Sequence, residues 1–173
     1  MENLYLLLVI VLAVLAIGDL IVGVSNDAVN FLNSAVGSKA ISLRTIMILA
    51  GLGVAFGAFF SSGLMEVARK GIFNPGEFYF DEIILIFTAV MLTDILLLDF
   101  FNTLGMPTST TVSIVFELLG AAVFMSLIKI TSSSGEISDL INYINTSKAI
   151  QIISGIILSI IVALTIGAIV QWI

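Results

Sequence analysis

The chain has 173 residues, of which 60% are hydrophobic and only 10% are charged, with a net charge of -6 at pH 7. Soluble domains are about 45–50% apolar and about 25% charged, so this composition excludes an ordinary water-soluble fold. No basic patch is available, and we therefore expect no nucleic-acid partner. The chain has neither Cys nor His, which removes thiol chemistry and a Ser–His catalytic pair, and we expect neither enzymatic activity nor a cofactor.

Five apolar stretches approach or exceed the roughly 20 residues that a helix needs to cross a bilayer. The predicted spans cover residues 4–24, 45–65, 80–101, 108–130 and 149–173. The first span lacks the basic segment and the cleavage site of a signal peptide, so we predict that it is retained. The sequence thus predicts a single all-α transmembrane domain over residues 1–173, a polytopic protein of the plasma or inner membrane.

Two segments have a mixed character that suits neither lipid nor an aqueous loop. They are residues 23–39, with Ser, Asn and Asp among apolar residues, and residues 102–113, with Gly, Pro and a run of hydroxyls. Backbone that leaves the helix at membrane depth survives only inside protein or beside a water-filled cavity. We therefore predict two broken or re-entrant segments, which is the pattern of a transporter site made from discontinuous helices.

The first segment carries amide and carboxylate groups at helical spacing. Asn26, Asn30 and Asn33 recur at i, i+4 and i+7, and Asp27 lies beside them. Their oxygens suit a hard cation such as sodium, and an ionisable residue inside a membrane is a functional hypothesis by default. The structural alternative is a patch of hydrogen bonds that holds helices together. We predict that Asn26, Asp27 and Asn30 bind sodium.

The second segment carries four consecutive hydroxyl residues, Thr108 to Thr111, after Gly105 and Pro107. Gly and Pro end one helix, and Ser or Thr caps the next. The free N–H groups and the positive end of the helix dipole then form an anion site. The structural alternative is a plain N-cap whose hydroxyls bond back to the helix. We predict that these hydroxyls bind an anion, with phosphate oxygens as suitable acceptors.

Four further acids fall inside the predicted spans: Asp19, Asp94, Asp99 and Glu117. Each could ligate a second cation, carry a proton or lie at the membrane interface. Among them we predict Asp94 as a sodium ligand and Glu117 as a coupling residue. No Lys or Arg lies in the middle of a predicted span. A bound anion would be repelled by these acids, so sodium or protons must enter with it.

Two stretches resemble the signatures of the inorganic phosphate transporter family. They are residues 25–30, Ser-Asn-Asp-Ala-Val-Asn, and, about eighty residues later, residues 105–111, Gly-Met-Pro-Thr-Ser-Thr-Thr. The resemblance covers roughly residues 4–130 and implies symport of phosphate with sodium or protons. It also implies a fold of two inverted repeats, each with one copy of both signatures. The hydroxyl run and the resemblance together predict a phosphate site formed by Asn26, Asp27, Thr108, Ser109, Thr110 and Thr111.

The sequence also departs from that family. Val112 stands where the family usually has His, Val54 where many members have an acid, and Phe116 with Glu117 where a small pair is usual. These departures leave the coupling ion open and keep open a sulfate or other oxyanion permease. The polar segments could also line a passive anion channel or bind partner helices in a non-transporting membrane subunit. Only one copy of each signature is present. We therefore expect a second repeat of the same protein, or a second copy in a homodimer, to complete the site, and we favour the repeat.

Overall fold

The computed structural model describes residues 2–60 and 71–172, and over these residues it is helical. The helices are α1 (Glu2–Ser38), α2 (Leu43–Phe59), α3 (Phe80–Leu104), α4 (Thr110–Ser132), the four-residue α5 (Leu140–Tyr143) and α6 (Thr146–Trp172). Short 3-10 turns at Pro75–Glu77 and Ile137–Asp139 lie in the connections. The last part of the second predicted span, at residues 61–65, lies outside the described residues.

Helices α1, α3, α4 and α6 are each long and apolar enough to cross a membrane, and α2 is a shorter apolar helix of 17 residues. The prediction of an all-α polytopic membrane protein is therefore confirmed. Along α2 and α6 the buried residues are Ile46 and Ala149, and the other described apolar side chains are largely exposed. Exposed apolar helices of this length are what lipid contact requires.

The structure corrects the first predicted break, because α1 is one helix of 37 residues that runs through residues 23–38. The chain leaves the helix only at Lys39, whose φ of 53° is left-handed. The polar groups of this segment lie on side chains, so the backbone keeps its own i to i−4 hydrogen bonds. The spacing of Asn26 and Asn30 is helical, and it places polar side chains on a continuous helix without interrupting it.

The second predicted break is confirmed. Helix α3 ends at Leu104, and Gly105 has a left-handed φ of 68° that glycine adopts without steric cost. The N–H of Met106 bonds to the Phe101 carbonyl (2.9 Å), which closes the helix end. Helix α4 begins at Thr110, and the Ser109 hydroxyl caps it by accepting the N–H of Val112 (3.4 Å). Residues 105–109 form the non-helical link.

Helix α1 packs along α3 in the same direction. The Tyr5 ring meets Phe80 at the start of α3, with ring centroids 5.8 Å apart, and Asn26 meets Asn102 near its end. Gly23 lies between Leu98 of α3 and Thr110 of α4, each within 4 Å of where a Cβ would stand. Helix α4 follows α3 after the short link and runs back along it. The link therefore faces the second half of α1.

The apolar core lies at the opposite end of the α3–α4 pair. Ile86 and Val90 of α3 pack with Leu118 and Ala122 of α4. Phe73 joins this core from a connection, and the two connections pair through the hydrogen bonds Asn145 N to Ile72 O (3.0 Å) and Asn74 N to Tyr143 O (2.8 Å). The end of the α3–α4 pair opposite the link, which we call the closed end, is well packed and holds the two helices together. The end at the link carries the polar side chains.

Lys129 joins the two helices at this closed end, and its loss should measurably destabilise the protein. Its ammonium lies 2.7 Å from Glu82 Oε2 and 2.9 Å from the Glu77 carbonyl, above the Tyr79 ring. We expect Lys129→Met to lower the free energy of unfolding by about 2 kcal/mol, because a charge-assisted hydrogen bond and a cation–π contact are lost together. Thermal unfolding in detergent, followed by circular dichroism, measures this change.

Lys148→Met is the matched control. Lys148 is exposed, and its ammonium makes no ion pair with any residue that the structure describes. Its replacement should leave the melting temperature unchanged within error, as is usual for surface substitutions. Equal melting temperatures for the two variants would show that the Lys129 contacts contribute nothing to stability.

Candidate functional site

Asn26 connects α1 to both sides of the non-helical link. Its side chain is buried, with 1% exposed. The Oδ1 atom accepts the N–H of Thr108 (3.1 Å), and the Nδ2 group donates to Oδ1 of Asn102 (2.7 Å). The amide thus uses its carbonyl on the link and its NH₂ group on the end of α3. This position holds the link in one geometry against α1.

Asp27 and Asn30 extend the same contact toward the start of α4. The Thr110 hydroxyl donates to Asp27 Oδ2 (2.8 Å), and Asn30 Nδ2 donates to the carbonyl of Thr108 (3.2 Å). Two segments about eighty residues apart in the sequence therefore meet side chain to side chain. The structure brings together Asn26, Asp27 and Asn30 with Thr108 and Thr110, as a shared binding site requires.

The start of α4 offers donors to an anion. The N–H groups of Thr110 and Thr111 precede the first hydrogen bonds of the helix and find no partner within residues 2–60 and 71–172. They lie at the positive end of the helix dipole, where negative groups are stabilised. Ser109 and Thr111 are exposed, and Thr108 and Thr110 are half-buried. Of the four hydroxyls, Ser109 acts as the N-cap and Thr110 bonds to Asp27.

Asp94 belongs to a second, deeper cluster with Asp19 and Glu117, which we call the acid triad. The carboxyl of Asp94 lies close enough to those of Asp19 and Glu117 for the three acids to interact electrostatically. Its side chain is buried, with 1% exposed. Asp19 precedes Asp27 on α1 by eight residues, which places the triad about 12 Å along the helix from Asp27. The structure therefore places Asp94 with other acids and not with Asn26, Asp27 and Asn30.

Glu117 is connected to the start of α4 through one intermediate residue. The Ser113 hydroxyl donates to Glu117 Oε1 (3.0 Å), and the backbone N–H of Ser113 donates to the carbonyl of Ser109 (3.0 Å). Glu117 thus lies on the helix whose N-terminus would hold the anion, two turns farther along. This position agrees with the predicted role in coupling, which stays a prediction.

Sequence reasoning assigned no specific role to three residues that the structure places in these clusters. Asn102 bonds to Asn26, Ser113 bonds to Glu117, and Asp19 completes the triad. The available signals were weak. Asn102 opens the second polar segment, and Asp19 is an acid in an apolar span, but Ser113 is one hydroxyl among several. Such partners depend on which helices are neighbours in the fold. The periodicity of a single sequence does not give this information.

Comparison with known proteins identifies a family and several relatives. Residues 23–173 match the Phosphate transporter family. Three relatives carry the name "putative phosphate permease": those of Thermococcus kodakarensis (36% identical), Pyrococcus furiosus (37%) and Helicobacter pylori strain 26695 (34%). Each alignment covers 99 residues and 56% of this chain, but only 24%, 24% and 19% of the respective relative. No solved structure matches the chain significantly.

The match begins at Gly23, just before the Asn26–Asn30 cluster, and it includes the whole link and α4. Both halves of the candidate site therefore lie inside the matched region. The chain is a multi-pass membrane protein, and its matched region extends over most of its length. This chain belongs to the phosphate transporter family.

Proposed function

We propose that this chain forms part of a transport pathway for inorganic phosphate, coupled to the entry of sodium or protons. The observation that carries the proposal is the hydrogen bond between Thr110 and Asp27 (2.8 Å). It places a carboxylate beside the N-terminus of a membrane helix. A cation site and an anion site then share one boundary, as symport of the two ions requires. The names of the aligned relatives support phosphate as the anion.

The anion would bind at the start of α4. The N–H groups of Thr110 and Thr111 supply backbone donors, and the hydroxyls of Thr108, Ser109 and Thr111 can turn toward the ligand. Phosphate offers several acceptor oxygens, and donors at a helix N-terminus bind such groups without a full positive charge. This arrangement would release the anion more easily than an Arg or Lys clamp, which suits a transporter.

The cation would bind on the α1 side of the same boundary. Thr110 occupies one oxygen of Asp27, which leaves the other, and Asn30 keeps its Oδ1 because its bond to Thr108 uses Nδ2. These hard oxygens suit sodium. Asn26 has both side-chain atoms engaged, so it acts as a positioning residue that holds the link. Asp94 and Glu117 lie farther from the anion, in the acid triad, and would contribute to coupling from there.

The pathway also needs surfaces beyond those seen here. The chain aligns with about a quarter or less of the length of the curated relatives it matches. Helices α2 and α6 present apolar faces that are suited to lipid and to further helices. We propose that a second repeat of the same protein, or a second copy of this chain, completes the binding site from the opposite side of the link.

The test has a binding arm and a transport arm. Purified chain in detergent should gain thermal stability with phosphate in sodium buffer, since a ligand that binds only the folded state raises the free energy of unfolding. In liposomes, an inward sodium or proton gradient should accelerate saturable uptake of radiolabelled phosphate. If sulfate stabilises the protein and competes with phosphate equally well, phosphate is not the specific anion. An ohmic current that does not saturate would favour a channel. If the folded chain shows neither phosphate binding nor phosphate uptake, completion of the site by a second copy of this chain is contradicted.

A further inference from the structure

The turn between α1 and α2 concentrates positive charge. Lys39 directly follows the last residue of α1, and Arg44 lies in the first turn of α2. We call residues 39–44 the basic turn. Both basic side chains are exposed, and neither forms a hydrogen bond or an ion pair with any residue that the structure describes. A chain with a net charge of -6 thus presents two cations without a partner at this turn.

The basic turn is also far from the acids of its own helices. Residues 28–65 contain no Asp or Glu. The preceding acid on α1 is Asp27, which lies twelve residues before Lys39 and therefore about 18 Å away along the helix. The single ion pair among residues 2–60 and 71–172 is formed by Lys129 and Glu82 at the closed end. No carboxylate between Asp27 and the end of α2 can thus neutralise the basic turn.

The closed end carries the opposite charge. Four acids there form no ion pair with the described residues, and they are Glu77, Asp81, Glu136 and Asp139. The closed end also holds Lys148, which is exposed. An excess of positive charge is therefore a property of the basic turn and not of every connection, and it favours a negatively charged partner at this turn.

Both helices that flank the basic turn are apolar, so the turn joins them at the membrane surface. Helix α1 is long enough to cross a bilayer, and α2 is an apolar helix of 17 residues. Because a charged side chain inside the hydrocarbon is costly, Lys39 and Arg44 must reach the level of the lipid headgroups. Ile41, Leu43 and Met47, which flank the cations, are 48%, 61% and 55% exposed. The surface thus combines positive charge with uncovered apolar side chains.

A phospholipid with a net negative charge matches both properties. Its phosphate offers oxygens to the Lys39 ammonium and to the Arg44 guanidinium, which can form bidentate bonds with phosphate. Its acyl chains cover the apolar side chains of the turn and of α2. Free phosphate would satisfy the cations alone and leave Ile41 and Leu43 in contact with water. A bilayer surface that contains anionic lipid attracts basic residues of this kind next to a membrane helix.

We propose that the basic turn binds the headgroup of an anionic phospholipid, with Lys39 and Arg44 holding the lipid phosphate. This lipid site is separate from the start of α4, and it stands independently of the proposed function. A lipid held at the turn fixes the end of α1, the helix that carries Asn26 and Asp27. Lipid binding should therefore stabilise the folded chain, and high salt should weaken it, because counterions screen exposed charges.

Titration of the purified full chain with phosphatidylglycerol in neutral detergent tests the proposal, and circular dichroism reports the melting temperature. We expect phosphatidylglycerol to raise the melting temperature more than phosphatidylcholine with the same acyl chains. A basic residue near an anionic surface contributes about 1 kcal/mol, and about 1.4 kcal/mol corresponds to a tenfold change in binding. Arg44→Gln should therefore raise the lipid concentration at half of the shift about fivefold, and Lys39→Gln combined with Arg44→Gln should raise it about thirtyfold.

Lys148→Gln is the matched control for Arg44→Gln, because it also removes one exposed positive charge but lies at the closed end among the acids. It should leave the lipid concentration at half of the shift unchanged. Equal lipid dependence of the native chain and the double variant, or equal effects of the two lipids on the native chain, would overturn the proposal. A shift that inorganic phosphate reproduces, and that the double variant loses, would also overturn it by showing that the turn binds a free anion.

Discussion

Asp27→Asn should lower ion-driven phosphate uptake by about tenfold to a hundredfold. The Asn side chain can still accept the hydrogen bond from Thr110, which in the native protein spans 2.8 Å. The substitution removes the negative charge beside the start of α4. A hydrogen bond to a charged group contributes about 1.5–3 kcal/mol, and about 1.4 kcal/mol corresponds to a tenfold change in binding. The coupling cation loses this contribution, and the effect should appear in the dependence of uptake on sodium or proton concentration.

Asp99→Asn is the matched control for Asp27→Asn. Asp99 is an acid near the end of α3, but its side chain is exposed. The two variants change net charge equally, so any general effect of charge on folding or reconstitution appears in both. We measure initial rates of radiolabelled phosphate uptake in liposomes, with protein content normalised. Equal rates for Asp27→Asn and the native chain would remove Asp27 from the cation site.

Asn26→Leu should reduce both the stability of the protein and its phosphate uptake. Leucine has the same branching and the same number of side-chain heavy atoms but offers neither donor nor acceptor, so the Thr108 N–H and the Asn102 amide both lose a partner. Each unsatisfied group costs about 1–3 kcal/mol where water cannot replace the partner. Because Asn102 is exposed, the total should fall near the lower end, at about 2 kcal/mol. The link at residues 105–109 then loses its contact with α1.

Asn30→Leu serves as the comparison for Asn26→Leu. Asn30 is exposed and makes one bond, from Nδ2 to the Thr108 carbonyl at 3.2 Å. Its loss should change the free energy of unfolding by less than about 1 kcal/mol. Thermal unfolding and uptake are measured on both variants. A larger loss of stability for Asn30→Leu than for Asn26→Leu would show that Asn26 does not hold the link.

Much of the fold is encoded locally in the sequence. The lengths of the apolar runs predicted α1, α3, α4 and α6, because a bilayer of given thickness demands a minimum helix length. Gly105 and Ser109 predicted the link between α3 and α4, since a left-handed residue and a hydroxyl cap are local requirements of helix ends. The break predicted at residues 23–39 failed because side-chain polarity was taken as evidence about the backbone, which in α1 remains helical.

The sequence predicted the two polar segments of the candidate site separately, and the structure showed which residues of the two segments are in contact. Asn26, Asp27 and Asn30 were selected as polar groups in an apolar segment, and the hydroxyl run was selected beside Gly105 and Pro107. Their roles in binding sodium and phosphate stay predictions. Asp94 was selected as an acid inside an apolar span, and its role as a sodium ligand stays a prediction. Its position near Asp19 and Glu117 follows from three-helix packing, about which sequence spacing within α3 carries no information.

The sequence by itself determined that lipid surrounds most of the chain, which apolar stretches form the long helices, and which chemical groups the candidate site contains. Those properties depend on composition and on interactions within a few residues, where hydrophobicity and capping act. Only the tertiary structure decided that Asn26 bonds to Asn102 and Thr108, that Asp27 meets Thr110, and that Asp94 lies near Asp19 and Glu117. These pairs join segments far apart in the chain. Their geometry arises from how α1 packs against the α3–α4 pair, a balance of many side-chain contacts that no local pattern records.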